Sequence, residues 1–487
     1  MDYKHCISEQ DNSQQSFIKE QYLFSLEPQD TITTRFSNHL VCNIISSFTK
    51  ICDLILNDFQ NDIVLTSNIL DLNSTAVNTS DPDFSSIFID KRMPLFCLTL
   101  FQREAHPKII LLSCDLIEAI LTSILIFSYY SYDIMINFLN LQTLPILFNS
   151  LRLFCEKPQI RCIILEIISN FISKLNTQQI DIDIDQLIEI CNYELFKSDD
   201  CDIEIKVVRI LSIISRMNDT INNIKREETL YEIFFQVFNH EMVSVYADAL
   251  VGMYYIAESQ IGREIILNDT TNRAERAVRG FYIGSEIIEY NALVLINILY
   301  RILTGDRLLN MHKNISIKNL ASFIVDQNND IQKASLNVVS TIILYHPRFI
   351  PSLVFNGIFA SPFGGLLWIF KNSSFELKSA ASCIVMGTVA RGPHDTINHL
   401  VENGLVICAT ETITSDVHFF YSNENSQFKL PSIIDTLILV LSQEDFRERL
   451  IQQIYDRGVY DIICNFEATV DEIDKKFELL RNIIDER

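Results

Sequence analysis

Three groups of residues in this chain have the types and rough spacing that chemistry uses. His394 and His399 lie five apart. Two imidazoles that share a zinc ion on one helix sit on the same face, which four-residue spacing provides and five does not. A surface or capping role is expected for both. Asp181, Asp183 and Asp185 in DIDIDQ open like a calcium-binding loop. Gln186 stands where such a loop needs Gly, and Asn192 where it needs Glu, so a solvated inter-helix loop is expected instead. Arg273, Arg276 and Arg279 in NRAERAVRG repeat every three residues and form a basic stripe on a helix. Such a stripe receives an acidic partner segment or an acidic loop of the same chain, or it faces water with Glu275 as its partner. No G-x-S-x-G, no phosphate-binding G-x-x-x-x-G-K-[ST] and no H-E-x-x-H occurs. The residues therefore specify no catalytic centre, no cofactor and no metal.

The 12 cysteines include no C-x-x-C pair. Cys97, Cys114, Cys162, Cys191 and Cys464 lie in apolar runs, the habit of small buried thiols rather than of disulfides or zinc ligands. A reducing compartment, cytoplasm and/or nucleus, is expected. The net charge of −23 opposes a phosphate backbone, so no nucleic-acid partner is expected. The same charge attracts basic protein partners or simply keeps a long exposed chain soluble. Residues 116–139 are apolar but contain Glu118, Asp133 and Asn137, which are costly in lipid. They are expected to form a buried helix pair, and no membrane partner is assigned. The sequence leaves the oligomeric state open.

The elements that must carry these residues are helices. Only 12 Gly and 11 Pro occur in 487 residues, too few for the turns of a β-sandwich or barrel. In residues 158–175, Ile160, Ile163, Ile164, Ile167, Ile168, Phe171, Ile172 and Leu175 fall on one face at the 3.6-residue period. Helices of this kind open at Ile109, Ile160, Ile203, Val243, Ile288, Ile331 and Leu377, spaced by 40 to 51 residues. LVFNG (353–357) and LVENG (400–404) repeat at 47 residues, and each ends in Asn-Gly, a pair suited to a left-handed helix stop. Units of 40–47 residues are on the armadillo and HEAT scale, and each must seal its apolar side against the next. The predicted fold is all-α: an armadillo-type helical repeat solenoid over 35–487, a right-handed superhelix with one concave face. A flexible polar arm at 1–34 precedes it, and loop insertions fall near 71–90 and 415–430. Trp368, the one Trp, lies in GGLLWIF, a helix expected to pack inside its repeat.

Residues 376–413 have an IQKEA-like opening, a small-residue helix, a Gly-containing loop and a short LVENG helix. They resemble an armadillo repeat of the importin-α (karyopherin-α) family. Residues 328–347 look like the preceding repeat, 448–486 are similar to a closing repeat, and 36–60 supply a first one. In that family the third helix of each repeat presents W-x-x-x-N to the groove: the indole stacks on a Lys or Arg stem, and the Asn bonds the peptide backbone. The resemblance puts these two positions on Cys383 and Gly387, Asn337 and Thr341, Ala249 and Met253, Arg209 and Ile213. Only the helix at 160–175 keeps the amide, with Glu166 in the first position and Asn170 in the second. Each missing Asn bond removes about 0.5–1.5 kcal/mol, and each missing stack about 0.5–2 kcal/mol.

The resemblance thus implies a non-enzymatic scaffold or adaptor. Its groove would take an extended peptide or a helix of a protein partner, and the family's groove chemistry implies a basic one. A divergent import adaptor for basic localisation signals is the alternative, and an enzyme the second alternative.

Overall fold

A computed structural model describes residues 143–174, 183–197, 200–217, 223–238, 242–278, 284–360, 364–410, 429–465 and 471–486. The expected arm at 1–34, the insertion near 71–90, the repeat at 36–60, the apolar segment at 116–139, and Asp181 and Arg279 lie outside these residues. So do 415–428 of the insertion placed near 415–430, whose last two residues are already helical. The chain divides into two units: residues 1–182 with 197–206, and residues 183–196 with 207–487.

In the first unit the described helices are α1 (Thr143–Leu153), α2 (Pro158–Lys174) and the opening of α4 (Cys201–Ser215). The apolar stripe of α2 is buried: Ile160, Ile164, Ile167, Ile168, Phe171 and Ile172 are all 2% exposed or less. Removing each from water contributes roughly 1.5–3 kcal/mol. Ile163, at the stripe's edge, stays partly exposed.

The second unit holds α3 (Ile184–Lys197), the rest of α4, and α5 (Ile224–Val237). A regular pattern of one long helix and two short ones follows. The long helices are α6 (Val243–Glu258), α9 (Glu286–Ile302), α12 (Asn329–Tyr345), α15 (Phe375–Arg391), α17 (Lys429–Leu441) and α20 (Asp471–Asp485). Between them run α7 (Gln260–Asn268) and α8 (Arg273–Ala277), then α10 (Gly305–Asn314) and α11 (Ile317–Ile324). Next come α13 (Ile350–Phe355) and α14 (Leu366–Asn372), then α16 (His394–Glu402) with a helical stretch at 405–410, and last α18 (Glu444–Asp456) and α19 (Val459–Asn465). Each long helix from α6 to α20 packs on the next. The starts at Pro158, Cys201, Val243, Glu286, Asn329 and Phe375 step by 43, 42, 43, 43 and 46 residues.

Side-chain links span one repeat and show that the long helices run parallel and in register. Asn291 Nδ2 donates to Ala247 O at 3.3 Å, and Thr341 Oγ1 to Asn297 Oδ1 at 2.5 Å. The Asn-Gly stops form as expected: Gly357 and Gly404 take φ of 91° and 95°, which an L side chain adopts only under strain. Gly252 serves a different end. A Cβ there would lie 2.2 Å from the Phe234 ring, so glycine lets α6 approach α5. At the C-terminal end Phe477, Leu480 and Ile484 are fully buried.

Two expectations about orientation fail. Val243 is 44% exposed while Val245 is fully buried, so the apolar marker of that repeat is Val245. The marker steps from Ile203 to Ile331 then become 42, 43 and 43 residues. Trp368 is 50% exposed, because Leu366, Leu367, Ile369 and Phe370 fill the buried positions of the seven-residue α14. Among the described residues no single helix is long and apolar enough to cross a membrane. One pair, Asn329–Tyr345 with Pro347–Phe355, has the length and composition but is bent by 116°, and Ile331, Leu336, Val338 and Ile342 on it are at most 2% exposed.

Candidate protein-binding face

A long helix in this array buries most of its surface against its own two short helices and the neighbouring long helices. What remains is one stripe per helix, and parallel packing sets these stripes side by side. Positions one repeat apart define the rows. One row runs through Arg209, Val251, Val294, Asn337 and Cys383; the next runs through Ile213, Tyr255, Ile298, Thr341 and Gly387. In the first row Arg209, Val294, Asn337 and Cys383 are half-buried and Val251 is 8% exposed. The second row sits deeper, with Thr341 4% exposed and Gly387 buried.

The expected positions Arg209, Asn337, Thr341, Cys383 and Gly387 therefore share this face. Ala249 and Met253 do not. Both are fully buried and point into the core, because α6 is displaced two residues from the register expected of it. Val251 and Tyr255 take their places. Glu166 and Asn170 belong to the first unit. Glu166 accepts an ion pair from Lys206 at 2.5 Å, and Asn170 is 4% exposed.

The face is polar and internally bonded. Arg209 pairs with Asp248 at 3.5 Å, Lys333 with Glu376 at 3.0 Å, and Lys476 with Asp435 at 2.6 Å. Tyr254 donates to Glu258 at 2.5 Å, and its ring meets that of Tyr255 edge-on at 5.3 Å. Tyr290 on α9 is half-buried, and burial, then the Asp330 carboxylate, pushes its phenol up to about 12. Glu289 is held above the usual carboxylate range by burial and then by Asp326 and Glu286. Sequence reasoning missed this tyrosine group. Its signal was present as two aromatic positions, Tyr255 in the last turn of α6 and Tyr290 near the start of α9.

The other chemical candidates have structural roles. The His394 ring stacks on Phe446 at 5.4 Å, and His399 meets Phe355 edge-on at 5.2 Å. Asp183 Oδ1 accepts from the Gln186 backbone at 2.9 Å at the start of α3. Asp185 takes a two-pronged bond from Arg226 at 2.7 and 2.9 Å, which holds its carboxyl below the usual range. Arg273 pairs with Glu232 and lies over Phe235 at 5.2 Å, and Arg276 lies over the same ring at 5.8 Å. Glu275 is not their partner: it is buried, and Arg307 holds it. Among the described cysteines Cys191 is buried, whereas Cys464 is exposed, contrary to its apolar run.

No protein-family model matches the chain. No curated protein matches it by sequence. Solved structures do. An engineered protein from a structural-genomics consortium is 12% identical and superposes with a TM-score of 0.64, over 90% of this chain and 98% of its own. A chain from work on a phosphorylation switch in the interaction between cadherin and beta-catenin is 9% identical, with a TM-score of 0.60 over 90% of this chain and 83% of its own. A designed armadillo repeat protein aligns over 52% of this chain and 98% of its own, at 16% identity and a TM-score of 0.41. With the three-helix unit of 42 to 46 residues, the first two of these show the fold: an all-α solenoid of the armadillo type.

Proposed function

We propose that this chain is a non-enzymatic protein-binding scaffold. The open face of its long helices takes an extended peptide or a helix of another protein. One observation carries this reading: α4, α9, α12 and α15 each leave the same row position partly exposed, at Arg209, Val294, Asn337 and Cys383, with Tyr255 of α6 partly exposed beside them, so that a partner can touch all five helices. A continuous face of this kind is how helical repeats gain affinity, since small contacts add along the array. The chemistry fits a chain-like partner, because the partly exposed amides of Asn297 and Asn337 stand beside apolar Val294.

A narrower reading, an adaptor for basic localisation signals shuttling between cytoplasm and nucleus, draws support from carboxylates in the first turns of α9, α12 and α15. Trp stands at none of the resembled positions and Asn keeps its place only at Asn170, which weighs against it; Asn337 falls in a Trp position.

A photo-reactive amino acid placed at Asn337, and separately at Trp368 on a short helix, tests the scaffold reading. Irradiation in cell extract should join a protein to the Asn337 position and not to the Trp368 position. Capture confined to Trp368 would move the interface off the long helices and refute the reading.

A further inference from the structure

The open face changes character along the array. A third row runs from Tyr254 and Asn297 to Ser340, Met386 and Ile438, and a fourth from Glu258 and Arg301 to Leu344, Ala390 and Ser442. The step from α15 to α17 is 52 residues: buried Ile384, Val385 and Val389 recur as Thr436, Leu437 and Leu441, and partly exposed Met386 recurs as Ile438. The His394 ring stacks on Phe446 across the same 52 residues. On α6 and α9 the two rows carry a phenol, an amide and charges. On α12, α15 and α17 they carry Leu344, Met386, Ala390 and Ile438, with Leu439 beside them from the second row; Ala390 is exposed and the other four are partly exposed. Ser340 and Ser442 are the polar members there, and Ser442 donates its hydroxyl to Leu439 O at 2.8 Å. The charges that border this patch are engaged within the chain. Lys333 pairs with Glu376 at 3.0 Å, Lys476 pairs with Asp435 at 2.6 Å, and Arg391 Nη1 donates to Leu344 O at 2.6 Å.

From this change, and resting on the reading of the open face as a docking surface, we propose the occupant of the stretch from α12 to α17: an α-helix of a partner protein, apolar and uncharged along the side that docks. Backbone chemistry decides between a helix and an extended segment. An extended segment lays its own N–H and C=O groups against the patch, and each one buried without a partner costs roughly 1–3 kcal/mol. Met386, Ala390, Ile438 and Leu439 have no side-chain group to offer them. A helix arrives with its backbone bonds already made and asks only for apolar contact. Charge decides the rest. A charged side chain pressed onto this patch would lose water and meet no counter-ion that is not already paired. The shape agrees, because on α15 Gly387 and Ala390 form a low middle between Leu439 on α17 and Leu344 on α12. Three helices packed at 8–10 Å set the outer axes about 20 Å apart. That is about 13 residues of helix at a 1.5 Å rise, enough for anchors at i, i+3 or i+4, i+7 and i+11.

The test uses three fluorescent peptides of that length on the full chain. One is a helix-forming sequence of Leu, Ala and Gln with every Leu on one side. The second has the same composition with the Leu scattered around the helix, and the third is the first with a central Pro, which breaks the helix. The one-sided peptide should bind about tenfold more tightly than either of the others, a difference of 1.4 kcal/mol. Its affinity should change by less than about twofold between low and high salt, since no charge pair forms. Ala390→Glu, at an exposed position, should erase that preference, with folding checked by circular dichroism. The comparison among peptides on the parent chain decides the matter should the variant misfold. Equal binding of the one-sided and scattered peptides, equal binding of the Pro peptide, or a steep loss with salt overturns the proposal. If no peptide binds while cross-linking at Asn337 still captures a protein, this inference fails and the docking surface stands. If neither is seen, both fail.

Discussion

Replacing Arg307 with Ala is expected to cost several kcal/mol of stability. Arg307 sits in the first turn of α10. Its Nε and Nη2 donate to the two oxygens of Glu275 at 2.7 and 2.9 Å, and its Nη1 donates to the carbonyls of Ile266 and Leu267 at 2.7 and 3.0 Å. One guanidinium therefore closes the C-terminal end of α7, holds α8 through Glu275 and joins both to the next repeat. The Glu275 side chain is only 7% exposed, so losing Arg307 strands a buried carboxylate and removes a donor from the Ile266 and Leu267 carbonyls, the first of which keeps the Asp269 N–H at 3.3 Å. Breaking one half of such a pair costs roughly 3–5 kcal/mol, whereas replacing both halves with apolar groups is often neutral. Urea unfolding should show Arg307→Ala well below the parent and Arg307→Met/Glu275→Leu recovering much of the loss. A single variant within 1 kcal/mol of the parent, roughly what an exposed pair contributes, would mean that the bond is dispensable.

Acidification is the second large effect. His312 on α10 is 7% exposed and stacks on Phe349 at 3.8 Å. Its Nδ1 shares a hydrogen bond with the Tyr300 hydroxyl at 2.8 Å, and its Nε2 faces Ser352 Oγ at 3.3 Å. Burial, then Arg348 and His346, lowers its pKa from 6.5 to about 4. His346, bonded through Nε2 to Tyr300 O, is lowered too, chiefly by burial. Between pH 6.5 and 4 the unfolded chain binds a proton at His312 that the folded chain refuses. Stability therefore rises with pH across that window and is lost as pH falls through it. At 1.36 kcal/mol per pH unit the His312 contribution is on the order of 3 kcal/mol. The unfolding midpoint in urea should fall between pH 7 and pH 4 in the parent, and His312→Gln should flatten that fall. Parallel pH curves for parent and variant would contradict the assignment.

Much of the architecture was legible in the sequence, and the exceptions have a common cause. The repeat length was readable wherever a helix is apolar on one side only, as α2 is. Helix α6 is different: residues 245–253 are buried without interruption, since α5, α7 and α9 all pack against it. An apolar pattern that covers every side of a helix fixes no phase. The expected register slipped by two there and carried Ala249 and Met253 onto the face in place of Val251 and Tyr255. Trp368 fails for the same reason on a smaller scale, since four apolar neighbours in a seven-residue helix leave its direction open. The ties across the face, such as Thr341 to Asn297, join residues 44 apart and become readable only once the register is right.

A partner docked on the long helices covers the row through Asn337 and Cys383. Native thiols measure this directly, because Cys383 is half-buried on the face, Cys464 is exposed on the short α19, and Cys191 is buried with burial pushing its thiol far up. Alkylation of the full chain, followed by mass spectrometry with and without the protein captured at Asn337, should show Cys383 shielded by the partner, Cys464 modified at an unchanged rate and Cys191 unreactive throughout. Unchanged labelling of Cys383 together with protection of Cys464 would contradict the account.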